Sequence, residues 1–552
     1  MHPTFADGPP PTRRFRHRIP TSLRQHWKLL AVFVAFVTIM ATVFGATRIR
    51  PQITGDATII ASQITDNIAG TVDLFDDSVS HEVSLDITDA EYQDMITSFQ
   101  KTGEKKWVTA DLTIDGTFVN DVSVRLKGNS TLMGVRGDNA MPGGEGFQPP
   151  EGMELPEGVE FPDGMEMPEG MGPMGGMSQA SEDDPTSLPL LISFDENESG
   201  RAYQGLTEIS IRPGSPVLNE AMSLSLTAET DQASQRYTYA VYSVNNSATT
   251  TRLLLEHPDD LYANTLFDSD GYLYKADANS RFEYVGDDQS DYADQFKQIN
   301  AVDSGNLQPI INFLKWLDTA SDEEFDAHLA DWVDVDSVAD YLATQNLLVN
   351  GDDMSGPGQN YYLWYDLETE EISVISWDLN LAMQGDATTG PHDAVSMGMP
   401  GGGGRAGAGA ATAPEGMTLP EGMTPPDGMA LPEGMTPPGG TGADDAAGTQ
   451  NGQAQDGRTR GGGIGGGGPQ MSNELKTRFL ESDAFTAVYD EAYWDLYDRM
   501  YGGGLASETL ERLAETIPVS DGLTAEDLQS SVDDMRTWID QRTSALADQS
   551  TT

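Results

Sequence analysis

Cysteine is absent from all 552 residues, which removes disulfides, thiolate nucleophiles and cysteine-ligated zinc together. Basic residues are scarce. The 31 Lys and Arg stand against 88 Asp and Glu, giving a formal net charge of −57 and a pI near 4.1. No nucleic-acid partner is expected of such a chain, because a binder must neutralise phosphates with Lys and Arg. The seven histidines are scattered, and there is no H-E-x-x-H, no G-x-S-x-G elbow and no G-x-x-x-x-G-K-[ST] loop. Zincin, α/β-hydrolase and P-loop chemistry are thereby set aside.

Long apolar runs are also missing, with one exception at Leu29 to Ala46. At 1.5 Å per residue this run reaches roughly 27 Å, close to the hydrocarbon thickness of a bilayer. The tail at 1–28 carries Arg13, Arg14, Arg16, Arg18, Arg24 and Lys28, outweighing Arg48 and Arg50 on the far side. The positive flank stays inside. A single-pass transmembrane helix over 29–46 is expected, with the N-terminus cytoplasmic and the acidic bulk outside the cell. A cleaved signal peptide is the rival, but Val43-Phe44-Gly45 and Phe44-Gly45-Ala46 make poor cleavage sites.

Residues 47–77 are polar and read as a stalk. The alternation in HEVSLDIT then predicts a strand, Asp89 caps a short helix through Phe99, and WVTADLTIDG with VSVRLKG predict a hairpin turned at Asp115-Gly116. From 138 to 177 the composition collapses into Gly, Pro, Met and Glu, with hexads beginning at Pro150, Pro156, Pro162 and Pro168. The same unit returns from Pro414 inside a second insert at 386–470. Proline every sixth residue, with glycine two later, extends neither a helix nor a central strand, so both inserts read as disordered or polyproline-like. Between them the pattern predicts strands over 188–194 and 205–212, a helix over 217–230, and strands over 237–244 and 250–256. Beyond 257 the reading is helical: 306–318, a helix capped by Ser321 and Glu324, 335–349, 472–500, one near 505–515, and 524–547 opened by Thr524 and Asp527.

The densest chemistry lies in NGDDMSGPGQNYYLWYDLETEEISVISWDLNLAMQ, Asn350 to Gln384. A polar loop with Asp352, Asp353 and Asn360 feeds a strand (361–365), a turn and a second strand (372–377) that ends on Asp378, Leu379 and Asn380. A hairpin returns both strand ends to one edge, so these groups should converge. Carboxylates and an amide without cysteine or clustered histidine describe an oxygen-ligand site for Mg²⁺, Mn²⁺ or Ca²⁺. Phosphoryl transfer uses that equipment: one carboxylate to orient a hydroxyl, another with an Asn to hold metal against phosphates. Asp, Asn and Gly are also what hairpin loops require. Lys127-Gly128-Asn129-Ser130-Thr131 is a strand-to-loop turn suited to a backbone nest for phosphate, or an ordinary hairpin turn.

NYYLWYD followed by VISWDLNLAMQ resembles the signature of the CotH kinase-like family of atypical protein kinases. RLKGNST at Arg125 to Thr131, LLLEHPDDLYANTLFDSDGYLYKAD at Leu253 to Asp277 and the helical end closing on Arg542 resemble it in order and spacing, from about Val79 to Leu546. The resemblance implies an α+β, two-lobed kinase-like fold. The β-rich N-lobe would cover 78–137 and 178–256, and the helical C-lobe 257–385 and 471–548. It implies ATP and Mg²⁺ or Mn²⁺ as cofactors, and Ser or Thr of exported or surface proteins as acceptors. Asp352 matches the family's loop aspartate, with Asp353 adjacent to it as a second candidate. Asp378 and, by analogy, Asn360 become metal ligands, with Asn380 a third. Lys127 and Arg212 compete as the cationic clamp that pairs with Glu220, and Glu256 begins the stretch where a hinge would lie. The alternative is a catalytically inactive surface display or adhesion protein that keeps the fold and uses its repeat loops as contacts.

Overall fold

The computed structural model describes residues 64–128, 130–136, 180–259, 261–267, 269–278, 280–301, 306–395 and 473–550. The basic tail, the apolar run at 29–46, the insert at 138–177 and nearly all of the second insert lie outside the described residues. Among those described, no helix is long and apolar enough to cross a membrane.

Alternating side chains build the first part. In chain order it contains β1 (Asp66–Ile68), β2 (His81–Asp86), α1 (Asp89–Thr102), β3 (Val108–Ile114), β4 (Thr117–Leu126), β5 (Leu190–Ser193), β6 (Arg201–Tyr203), β7 (Glu208–Ile211), α2 (Leu218–Glu229), β8 (Tyr237–Val244) and β9 (Thr250–Glu256). In β2, His81, Val83 and Leu85 are buried while Glu82 and Asp86 are exposed, the period of two that a half-buried strand demands. The β3–β4 hairpin turns on Asp115 and Gly116, both at positive φ (50° and 78°), which matches the twist of the strands it joins. Seven strands close into a barrel in the order β2-β3-β4-β5-β7-β9-β8. Closure depends on β2 lying parallel to β8, with Val83 opposite Tyr242. Alternation marks a strand but not its partner, and a parallel partner lies a long connection away, so the closed barrel was not legible.

Two boundaries shift. The expected stalk ends early: β1 pairs in parallel with β6, and Leu74 is fully buried in the barrel core. Helix α1 is capped by Thr88, whose hydroxyl accepts from the Glu91 N–H, so Asp89 is the first helical residue. Helix α2 is buried on nearly all sides because the helical part of the chain lies against it.

The second part contains α3 (Tyr262–Leu266), β10 (Gly271–Ala276), β11 (Phe296–Gln298), α4 (Gln308–Thr319), α5 (Asp322–His328), α6 (Val335–Leu347), β12 (Tyr361–Asp366), β13 (Ile372–Ser376), α7 (Glu474–Glu481), α8 (Asp483–Tyr497), α9 (Leu505–Thr516) and α10 (Ala525–Ser550). The predicted hairpin is β12–β13, with Tyr361 opposite Ser376. It does not stand alone among helices. It belongs to a four-stranded antiparallel sheet ordered β11-β10-β12-β13, so the expectation of a helical lobe carrying one hairpin is corrected by two further strands. Gly271 permits this, since a Cβ there would enter the Trp364 ring. The Ser321/Glu324 capping box forms reciprocally, as does the Thr524/Asp527 pair. Barrel and helical part belong to one compact unit, Ile59–Thr552.

Arg542 ties the helical part together from α10. It is fully buried and donates to the carbonyls of Leu347 (3.1 Å), Ala387 (3.2 Å), Thr389 and Asn346 (2.9 Å), and to the Tyr493 hydroxyl (3.2 Å). Residues 387 and 389 are thus part of the folded body, and the second insert begins later than 386. Because each orphaned buried carbonyl costs about 1–3 kcal/mol, Arg542→Ala should destabilise by about 4 kcal/mol or more. Urea unfolding checks this. Arg542→Lys should recover less than half of the loss, since an ammonium cannot reproduce the guanidinium fork.

Candidate functional site

Helix α6 delivers the chain into the Asn350 loop, and three side chains lock the junction. Asn350 Nδ2 donates to Gln345 Oε1 (2.7 Å), and Gln345 Nε2 donates to Ser376 Oγ at the end of β13 (2.9 Å). Within the loop, Asp352 Oδ1 accepts from the Gly358 N–H (2.6 Å) and Oδ2 from Asn360 Nδ2 (3.0 Å). Gly358 is required for that approach, as a Cβ would sit 2.6 Å from Asp352 Oδ2. Asp353 points elsewhere. Its carboxylate takes Lys476 Nζ from α7 and accepts from the Ser355 N–H (2.8 Å), and it is buried. The two adjacent acids are therefore separated in role: Asp353 is spent on an ion pair, while Asp352 stays with Asn360. Burial pushes the Asp352 carboxyl up to about 6, and the charges of Asp378 and Asp353 add to it against the Gly358 and Asn360 hydrogen bonds.

Asp378 follows β13 in the left-handed region (φ 55°, ψ 60°), a conformation few non-glycine residues adopt. One of its oxygens is paired with Arg212, and with the side chain 27 % exposed it remains accessible from the cleft. Arg212 Nε donates to Glu220 Oε1 (3.0 Å) and its terminal nitrogen contacts the same oxygen, so one guanidinium bridges α2 and the hairpin end. Burial works to raise Asp378, but Arg212, Lys127 and Lys275 outweigh it and hold the carboxyl below its usual range. Glu220, with no exposed surface, is driven upward by burial despite the same partner.

Lys127, at the end of β4, is not the partner of Glu220. Its Nζ contacts Ser210 Oγ, lies 3.2 Å from His257 Nδ1 and sits 5.3 Å from the centre of the Trp377 ring. Lys275 approaches the same ring at 5.0 Å. Burial, with Arg212 and Lys275 repelling it, lowers Lys127 far below the ordinary lysine range. Of the two competing cations, Arg212 takes the helix acid. Glu256 is held by Arg236 through both oxygens (2.7 and 3.1 Å), so its side chain has a structural partner. Asn380 gives its carbonyl to Asn219 Nδ2 (2.6 Å) and Gln384 Nε2 (2.9 Å). Asn129 lies outside the described residues.

Spacing singled out neither His257 nor Lys476. Lys476 falls more than a hundred residues after Asp353, beyond an insert, and nothing local ties the two. Among the described residues no group of three or more His, Cys, Asp or Glu is arranged to hold a metal. The oxygen donors at this edge are two acids and an amide, Asp352, Asp378 and Asn360. Magnesium suits so small a set, because it takes one or two carboxylates and fills its octahedron with phosphates and water.

Glu208 yields a prediction. Burial pushes its carboxyl up to about 7, and it lies 3.5 Å from His257 Nε2. A folded-state value above the unfolded one means that stability falls as pH rises from the ordinary carboxylate range to about 7. Glu208→Gln should remove that slope, leaving the variant on the order of 2 kcal/mol more stable than wild type at pH 8 and little different at pH 4. Paired unfolding curves at the two pH values check it.

The family model for CotH kinase protein matches residues 187–546, about two thirds of the chain. Strands β2 to β4, with RLKGNST, lie before the matched span. No curated protein matches the chain.

Proposed function

Since this chain belongs to the CotH kinase protein family, we propose that it is an atypical protein kinase, with the barrel and the helical part serving as its two lobes. It transfers the γ-phosphoryl group of ATP to Ser or Thr of an exported or surface protein, from a site outside the cytoplasm anchored by the apolar run at 29–46. The observation that carries this reading is the placement of Asp352 with Asn360 on one loop, electrostatically coupled to Asp378 on the Arg212–Glu220 bridge.

Asp352, free of an ion pair, orients the acceptor hydroxyl and takes its proton as the oxygen attacks phosphorus and the β–γ bridging bond breaks toward ADP. Asp378 and Asn360 would hold Mg²⁺ or Mn²⁺, with Asn380 as a further oxygen donor; bound there, the ion neutralises charge on the phosphates. Lys127 and Lys275 lie against the Trp377 ring, where burial lowers both below the ordinary lysine range, so the lasting positive charge at this edge is that of Arg212. Arg212 in place of a lysine clamp brings a planar fork able to hold two carboxylates at once.

A second reading, an inactive surface display protein, is favoured by one contact. Arg212 already grips the Asp378 carboxylate that a metal would need. ATP scarcity outside the cell points the same way. The two readings separate in one experiment on the purified full-length protein. The kinase reading predicts that Mg·ATP raises the melting temperature and that label is transferred to protein. Asp378→Ala should abolish both. Asp352→Asn should keep the thermal shift and lower transfer by about 10²–10⁴-fold. Transfer and thermal shift both unchanged in Asp378→Ala would end the kinase reading.

A further inference from the structure

A chain with 88 acids and 31 bases has a carboxylate to spare for every cation. Cations elsewhere on the surface take one, as Lys106 does from Asp94, Lys315 from Asp287 and Arg536 from Glu511. Arg125, Lys275 and Lys297 enter no ion pair among the described residues. They gather instead. Lys275 on β10 stands directly opposite Lys297 on β11, an arrangement that costs stability because like charges repel across a sheet. An outer strand such as β11 often carries a lysine to ward off other strands, but that role needs no second lysine opposite it and no arginine from the barrel. Arg125 on β4 lies 4.6 Å from the centre of the half-buried Trp107 ring. The charges of Arg125, Lys275 and Lys297 all bear on His257, and those of Arg125 and Lys275 on Lys105. Four cations thus converge from β4, β10, β11 and the loop before β3.

The acids among them neutralise only part of this charge. Glu208, on which Arg125 and Lys297 also act, is pushed by burial up to about 7 and is only partly ionised at neutral pH. Asp277 is exposed and offsets the repulsion on Lys105 and Lys275. Burial lowers Lys275, and it brings Lys105 down to about 8 with Arg125, Lys275 and Arg136 repelling it, so the charge that stands at neutral pH is that of Arg125, Lys297 and most of Lys105. The shape of the ligand follows from their spread. A compact phosphate needs donors that converge on one point, as a nest or a helix N-terminus provides. Here the charges stand on separate elements, and residues directly opposite on paired strands are already about 5 Å apart at Cα. Carboxylates on every second residue of an extended chain, roughly 7 Å apart, match such a distribution. The Trp107 ring beside Arg125 gives that chain an apolar wall.

We propose that this surface binds a carboxylate-rich segment of a partner protein, held by Arg125 and Lys297 together with Lys105 and Lys275. Under the proposed kinase activity that segment is the acceptor, its Ser or Thr lying among acids, and Lys275, on which Asp378 also acts, joins the surface to the cleft. Binding itself does not depend on phosphoryl transfer at Asp352.

The test is fluorescence anisotropy on the full-length protein in detergent, with a labelled peptide of alternating glutamate and glycine, its glutamine counterpart, and tripolyphosphate as competitor. The glutamate peptide should bind saturably, at least about tenfold more tightly than the glutamine peptide, and should weaken as salt rises. Lys297→Glu, a change on an exposed side chain, should weaken it roughly fivefold, and Arg125→Glu/Lys297→Glu should reduce it to the level of the glutamine peptide. Arg499→Glu/Arg536→Glu, which alters net charge equally at other ion pairs, should leave it within about twofold. Equal binding of the two peptides would overturn the inference, as would binding indifferent to Lys297→Glu and to the double substitution, or an equal loss in the control pair. Tripolyphosphate binding without peptide binding would also overturn it, since the ligand would then be a compact polyphosphate. A melting-temperature shift with Mg·ATP but no peptide binding would leave the kinase reading intact while this one fails. Peptide binding without that shift would do the reverse.

Discussion

One guanidinium holds the site in place. Arg212, at the end of the barrel strand β7, reaches Glu220 on α2 and Asp378 at the end of the β12–β13 hairpin. Glu220 is fully enclosed, and a buried carboxylate is tolerated only when paired. Removing the arginine would leave the enclosed Glu220 unpaired beside Asp378, at a cost of several kcal/mol, on the order of 3–5. A second tie joins the same elements, since Asn219 on α2 donates to the Asn380 carbonyl (2.6 Å), two residues past the left-handed Asp378. Barrel and helical part are thus coupled through Arg212.

A second constraint is the crowding of acids. Asp352 and Asp353 are adjacent, and Asp378 is near enough to act on Asp352. Three negative charges at one edge would repel unless divided. The chain divides them with two cations from distant segments, Arg212 for Asp378 and Lys476 for Asp353. Asp352 is left with only hydrogen bonds, from Gly358 and Asn360, and burial pushes its carboxyl up to about 6. Lys476 stands on α7, so that helix is joined to the loop of Asp352 and Asp353.

Local signals were legible where the physics is local. Period-two alternation located β2, the strands expected over 237–244 and 250–256 are β8 and β9, the Asp115-Gly116 turn named its hairpin, and the Ser321 and Thr524 caps opened their helices where side-chain chemistry requires. The β12–β13 hairpin and its acidic loop were readable as a unit, because loop and strands are contiguous. What failed to show was pairing at a distance. Nothing in HEVSLD announces that it closes a barrel against Tyr237–Val244, and GYLYKA sits in an irregular stretch with no hint that it flanks β12. Glu256 ends a strand and reads as a hinge acid, yet Arg236, opposite it in space, claims both oxygens. Asp353 was indistinguishable from Asp352 until Lys476 was seen beside it.

The central claim is that Asp378 and Asn360 grip one divalent ion next to a triphosphate. The most direct measurement is anomalous scattering from a crystal grown with Mn²⁺ and a non-hydrolysable ATP analogue. The account predicts a manganese peak about 2.0–2.3 Å from an oxygen of Asp378 and from Asn360 Oδ1, with Arg212 released from Asp378 to the phosphates. A bound nucleotide with Asp378 still held by Arg212, and no manganese at either side chain, would contradict it.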